Sequence, residues 1–348
     1  PMPPPSPHSI PGTKRSSQPV RGDVSRQGTS DDTSDSADSR PSPGGFRGIR
    51  QIVFGTISVA LFGLIVWLGG VEAWNTLVSG DPRLYALAFI LTGIAPMLSA
   101  WRLRTLTHAA TGSYRGPWRR FFHVNITAVA LGLVLPRNAA VVGGKAVYLR
   151  TMGVPLIRGT SAVLMENVID AVFLGVISLS CVLFLANVVG LAGFGVGVGA
   201  STLGFLVAAY WARGRDWRAL LDTFLRRIPF IRSKMSLAIG EFVPGPIRAP
   251  AMLGATVVMH TALAFQAYAI ARAIGLEAPW FVFVTCYPLT QLGLALAVAP
   301  GALGTLDATW LGLLLVQGVS NSDAIAFTVA LRACMVVSVS YTHLRAHE

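Results

Sequence analysis

Leu135-Pro136-Arg137, Gly143-Gly144-Lys145 and Arg150, followed in the next apolar run by Glu166 and Asp170, put helix breakers and charges where a membrane span should be continuous. On insertion scales a charged side chain at mid-bilayer costs roughly 2.5–3.5 kcal/mol, so several together oppose insertion by about 10 kcal/mol if they face lipid. Such groups persist where they pair with one another or line a polar cavity. Pro and Gly at the same depth imply broken helices, whose freed backbone groups must also face protein or water. The stretch 121–170 reads as a site inside a membrane protein.

Composition agrees. The 348 residues are 53% hydrophobic and only 13% charged, with a mean hydropathy of +0.58, whereas soluble domains carry about 25% charged residues. Runs such as 52–70 and 188–211 are about a bilayer thick at 1.5 Å per helical residue. The net charge of +12 would suggest nucleic acid in a soluble chain. Here the basic residues lie mostly between apolar runs, where the positive-inside rule explains them and anionic headgroups attract them. No basic folded domain is present to bind nucleic acid. Cys181, Cys286 and Cys334 fall within apolar runs with no spacing suited to zinc, and read as packing residues. No metal or cofactor is expected.

Residues 1–48 are rich in Pro, Ser, Gly, Arg and Asp and read as a disordered cytoplasmic tail, too polar to offset ordering entropy. Pro1 in place of Met suggests a fragment or a mistaken start. A cleaved signal peptide is not expected, since the first long apolar run begins only after about 50 residues. The integral membrane domain spans 49–340, with apolar segments at 51–70, 84–101, 121–135, 160–186, 188–211, 250–275, 281–299, 304–319 and 323–340. The segments 121–135 and 304–319 are short for a full span and abut Pro/Gly interruptions, which suggests half-helices or re-entrant hairpins. The closing residues 341–348 break the apolar pattern and resemble translated adapter read-through.

Basic loops fix the orientation. Arg47 and Arg50, then Arg102, Arg104, Arg115, Arg119 and Arg120, then the basic loop 212–249 all belong in the cytoplasm. The loops around Glu72–Asp81 and Glu277 fit the outside. The resulting fold is an all-α polytopic membrane helical bundle with two Pro/Gly-broken pairs, amino terminus inside. The first broken pair enters from the cytoplasm and the second from outside. Breaks at corresponding places in two halves suggest an inverted repeat with a binding site between the halves. Within the basic loop, Trp217, Leu220, Leu221, Phe224 and Leu225 mark one helical face suited to the inner leaflet, or a short helix in an ordinary loop.

Several side chains are candidates for chemistry. Gly143-Gly144-Lys145 fails as a phosphate loop, because Ala139 and Ala146 stand where that motif needs Gly and Ser or Thr. Two glycines still permit close backbone approach, and Lys145, Arg150 and Arg137 suit a phosphate or another anion. The alternative is snorkelling at the cytoplasmic interface. Glu166 and Asp170 share one helical face. A segment starting at 160 places them about 9 Å and about 15 Å deep, and Arg137, Lys145 and Arg150 are the counter-ions expected. The pairs either lock the bundle or exchange with a headgroup or a proton. The second break, Pro300-Gly301-Ala302-Leu303-Gly304, is followed by Asp307, a helix-capping acid or a transport residue with Arg332 as counter-ion. His260 and Gln266 read as satisfied packing groups. No enzyme constellation is present.

These motifs resemble the flippase-like transmembrane domain of lysylphosphatidylglycerol synthases and its stand-alone relatives. The match rests on Leu133–Arg150 with Glu166 and Asp170, and on Pro300-Gly301-Ala302-Leu303-Gly304 with Asp307, and it covers most of residues 50–340. The family typically shows a Leu-Pro-Gly-Arg-like turn, Gly-Glu with a basic residue, a Glu-Arg…Asp helix, and Pro-Gly-Gly-x-Gly with Glu. Here Gly is absent after Pro136, Gly144 stands at the acid, Asn167 at the Arg, Ala302 at a Gly and Asp307 at the Glu. The resemblance implies a lipid-translocating domain without the soluble aminoacyl-transferase. The expectation is a bacterial inner-membrane protein that binds or moves an anionic or polyprenyl-linked lipid. It is read as a non-enzyme whose partners are membrane lipids. The headgroup site is expected at Arg137, Gly143, Gly144, Lys145, Arg150, Glu166, Asp170, Pro300, Gly301, Gly304 and Asp307. Two other classes fit the residues: an anchor for a separate glycosyl- or aminoacyl-transferase, and an ion-coupled transporter of a soluble solute.

Overall fold

A helix opens at Pro82 because Asp81 accepts the backbone N–H of Arg83 at 2.8 Å and Pro82 needs no donor partner, and it closes at Gly112, whose φ of 74° suits the left-handed cap. This helix, α1 (Pro82–Thr111), runs ten residues beyond the apolar segment 84–101. Arg102 and Arg104 therefore belong to the helix and not to a cytoplasmic loop. Leu103, Leu106 and Ala110 continue its buried face past the point where mean hydropathy falls.

The computed structural model describes residues 67, 74–112, 114, 116–135, 139–211, 249–295 and 305–345. After α1 come α2 (Trp118–Val134), a π-helical turn (Ala139–Gly144), α3 (Lys145–Thr151), α4 (Leu156–Leu185), α5 (Leu191–Trp211), α6 (Ala249–Ala273), α7 (Trp280–Ala295), α8 (Thr305–Val316) and α9 (Asn321–Arg345). No strand occurs among the described residues. The amino-terminal tail, the first apolar segment except Trp67, the basic loop up to residue 248, Arg137 and the break at Pro300–Gly304 lie outside them. The last helix continues to Arg345, across the start of 341–348.

The protein is an all-α membrane bundle. Among the described residues, four helices are long and apolar enough to cross a membrane: Pro82–Thr111, Leu156–Leu185, Leu191–Ala208 and Pro250–Ala273. The outer faces of α4 and α5 expose Val176, Leu179, Val182, Val196, Leu203 and Val207, which water would penalise and acyl chains accept. The segments beside both breaks are short, as expected. Helix α2 has 17 residues and α8 has 12, against about 20 needed for a span.

Two apolar cores form inside the bundle. One gathers Leu103 and Leu106 of α1, Phe121 and Val124 of α2, Leu149 of α3, Val163 and Met165 of α4 and Met252 of α6. The other gathers Phe173 and Ile177 of α4, Ala264 and Ile270 of α6, Phe283 of α7, Trp310 of α8 and Phe327 of α9. Helices α4 and α6 thread both cores. Small buried residues along α6, including Ala262, Ala267 and Ala271, let α1 lie close beside it.

Candidate functional site

Charge collects at the junction of the two cores. On α4, Glu166 and Asp170 fall between Met165 of one core and Phe173 of the other. Because α4 starts at Leu156 and not at 160, Glu166 lies about 15 Å and Asp170 about 21 Å along a helix of about 45 Å. Both stand further along the helix than a start at 160 implies, and Asp170 sits at the middle of the helix.

Glu166 is 2% exposed. Its Oε2 accepts from Lys145 Nζ at 2.8 Å, and its Oε1 bonds to Ser99 Oγ of α1. Ser99 Oγ also contacts Asn125 Oδ1 of α2 at 2.7 Å and Lys145 Nζ at 3.5 Å. Asn125 is anchored in turn by Nδ2 donating to the Phe121 carbonyl at 3.0 Å. Lys145 reaches inward because it opens α3 directly from the π-helical turn Ala139–Gly144. Such wide turns are short and concentrate at functional sites.

One turn along, Asp170 Oδ1 accepts from Arg102 Nη1 at 2.7 Å and stands 3.4 Å from His260 Nε2 of α6. His260 Nδ1 meets the Tyr287 hydroxyl of α7 at 2.8 Å, and the imidazole stacks on Phe173. Arg102 is wholly buried. Its Nη2 donates to the Glu166 carbonyl at 3.1 Å, while its Nε finds no hydrogen-bond partner among the described residues. The Asp170 side chain is 23% exposed, so the cluster opens at that carboxylate. Two cations and two carboxylates thus share one buried locus contributed by six elements.

A separate pair follows the second break. Arg332 of α9 holds Asp307 of α8 with Nε to Oδ1 at 2.7 Å and Nη2 to Oδ2 at 2.8 Å. This two-pronged grip is the strongest carboxylate geometry available to an arginine. In each half, then, a short helix beside a break is tied by a buried ion pair to the helix that follows it.

The sequence expectations for Lys145 with Glu166 and for Asp307 with Arg332 are met. Arg150 is exposed at the last turn of α3 and does not pair with either acid. Gly143 has open space around its Cα, and a Cβ on Gly144 would come within 3.3 Å of Leu131 Cδ1. Arg137, Pro300, Gly301 and Gly304 lie outside the described residues. Arg102, expected in a loop, is instead helical and the main counter-ion of Asp170. His260, expected as a satisfied packing group, faces the same carboxylate. Gln266 is buried with its Nε2 unpartnered among the described residues. Ser99 and Asn125 join the cluster without any motif to mark them, although Ser99 lies one helical turn from Arg102, a spacing that puts both on one face. Among the described residues, no group of three or more His, Cys, Asp and Glu converges as a metal site.

The model of the lysylphosphatidylglycerol synthase transmembrane region matches residues 52–341. The chain belongs to this family. A search of curated proteins found no match. Membership in the lysylphosphatidylglycerol synthase transmembrane-region family makes the chain a multi-pass membrane protein associated with lipid-related processes. The region 52–341 contains every residue of the charged junction and of the Asp307–Arg332 pair.

Proposed function

We propose that this protein binds an anionic phospholipid or a polyprenyl-linked lipid and moves it between the leaflets of a bacterial inner membrane, with its amino terminus in the cytoplasm. The observation that carries this reading is the balanced set of Arg102, Lys145, Glu166 and Asp170 buried at the middle of the bundle. Intramembrane charges that serve no function are selected against by their insertion cost. Lys145 and Arg102 engage the headgroup phosphate. Glu166 and Asp170 hold those cations when the site is empty and receive any cationic part of the headgroup. Arg150, exposed at the end of α3, attracts headgroups at the membrane surface. Binding and movement, not bond-making, are the activity assigned.

The test is lipid translocation in proteoliposomes. Asp170→Asn is expected to abolish movement of fluorescent phosphatidylglycerol while the protein remains monodisperse and helical. Unchanged movement in that variant removes Asp170 from the site. Native mass spectrometry of the purified protein is expected to retain an anionic lipid, and Lys145→Gln to lose it.

A second reading draws on the Asp307–Arg332 pair, whose closed geometry suits a structural lock. In that reading the domain anchors a separate glycosyl- or aminoacyl-transferase. Co-purification of such an enzyme, with no lipid movement, would favour it.

A further inference from the structure

Where α1 ends, α2 begins and α3 turns into α4, the bundle leaves an open cavity of about 550 Å³. That volume lies within the roughly 300–1,000 Å³ of small-molecule sites. Its lining includes Thr111, Tyr114, Gly116, Arg120, Gly153 and Arg158. Two arginines face it without an acid to answer them among the described residues. Arg158 is half-buried, and its Nη1 meets only the Thr111 carbonyl, at 3.5 Å. The Arg120 side chain has no hydrogen-bond or ion-pair partner among the described residues. The chain carries no Asp or Glu between Asp81 and Glu166. Asp81 caps the far end of α1, and Glu166 is held by Lys145 and Ser99, about 12 Å along α4 from Arg158.

Both arginines also stand in the first turn of a helix, α2 from Trp118 and α4 from Leu156. There the helix dipole disfavours a cation, and neither first turn holds an acidic residue. Membrane orientation accounts for basic residues on this side of the bundle. It does not account for one of them being half-buried in a cavity wall. Tyr114 adds a third donor. Its hydroxyl lies over Gly116, where a Cβ would stand 2.6 Å from it, and it has no partner among the described residues. The Thr111 hydroxyl fixes this connection by donating to the Thr107 carbonyl at 2.8 Å and accepting from the Tyr114 N–H at 3.1 Å. The Tyr114 ring meets Phe121 edge-on, so its place is set before any ligand arrives.

We propose that this cavity is a phosphate-binding site, separate from the charged junction. Arg158 and Arg120 grip phosphate oxygens, a task that suits the planar guanidinium fork, and the Tyr114 hydroxyl donates to a further oxygen. The bound anion compensates two cations that no carboxylate balances. On the orientation proposed above, the mouth faces the cytoplasm. The phosphate is carried by a lipid headgroup of that leaflet or by a soluble molecule. The site stands whether or not the protein moves lipid.

The experiment uses the full chain and has two arms. In one, inorganic phosphate is titrated by calorimetry into protein held in a maltoside detergent, which carries no phosphate. In the other, native mass spectrometry counts the lipid retained from phosphatidylglycerol nanodiscs. Arg158→Gln and Arg120→Gln are each expected to lose about tenfold in phosphate affinity, or one bound phosphatidylglycerol, for want of a charge-assisted bond. Arg119→Gln removes the same charge from the same turn of α2, outside the cavity, and is expected to leave both readouts unchanged. Arg120 is exposed, so its substitution still decides the matter if Arg158→Gln does not fold. Loss in the phosphate arm alone supports the site with a soluble ligand; loss in the lipid arm, alone or with the other, supports it with a headgroup. No loss for either cavity arginine, or an equal loss in Arg119→Gln, overturns the proposal. Arginine-dependent binding in a protein that moves no lipid upholds this site and overturns the lipid-moving reading instead.

Discussion

Arg102, fully buried in α1, is bound to Asp170 at the midpoint of α4 through Nη1 and Oδ1 at 2.7 Å. Breaking a buried pair from one side leaves a charge without compensation, at about 3–5 kcal/mol. Arg102→Leu is therefore expected to lose stability of that order in detergent thermal unfolding. Adding Asp170→Asn removes the orphaned charge, so the double variant should recover more than half of the loss. Equal stability of single and double variants would contradict this coupling.

Lys145 makes a second prediction at the same junction. In Lys145→Gln the Glu166 carboxylate is buried without its cation, at a cost of about 3–5 kcal/mol. Adding Glu166→Gln removes the orphaned charge, so the double variant should recover more than half of that loss in detergent thermal unfolding. Equal stability of the single and double variants would show that Lys145 acts through packing alone.

The grip of Arg332 on Asp307 uses two parallel bonds at 2.7 and 2.8 Å. Lysine keeps the charge but cannot reproduce the planar fork. Arg332→Lys should cost about 1.5–3 kcal/mol, the value of one hydrogen bond to a charged group. Chemical or thermal unfolding of the purified variant measures it.

Gly80 lies just ahead of the α1 cap, where Asp81 N–H donates to the Ala273 carbonyl at 2.9 Å. A Cβ on Gly80 would stand 2.8 Å from that same carbonyl oxygen. Backbone does not yield as a side-chain tip does, so Gly80→Val should cost about 1–3 kcal/mol by overpacking. On the function proposed above, lipid movement per folded molecule should be preserved, because the cap is distant in sequence and contact from the charged junction.

Much of this architecture is legible in the chain before any coordinates. Apolar runs of bilayer length announce the spans, and Glu166 and Asp170, four residues apart, announce an inward face. Lys145 is the first cation after the break, and it is the one that pairs with Glu166. Arg102 was lost because a hydropathy window ends α1 where charge begins. The helix actually ends at its first left-handed cap, Gly112, and the buried side chains Leu103, Leu106 and Ala110 carry it there. His260 was lost for a different reason. A lone imidazole in an apolar helix has no local partner, and its contacts with Asp170 and Tyr287 span 90 and 27 residues. Only tertiary packing brings them together.

The π-helical turn at Ala139–Gly144 has a bearing on how this site tolerates insertions and deletions over evolutionary time. A wide turn of this kind holds one residue more than an α-helical turn would. Removing a single residue within it would let the turn tighten to the ordinary pitch while α3 keeps its register, so Lys145 would still face Glu166. The same deletion inside α4 ahead of Glu166, where the pitch is already ordinary, would swing Glu166 by about 100°. The segment 139–144 is consequently where a change of length is absorbed, and the start of α4 is where it is not.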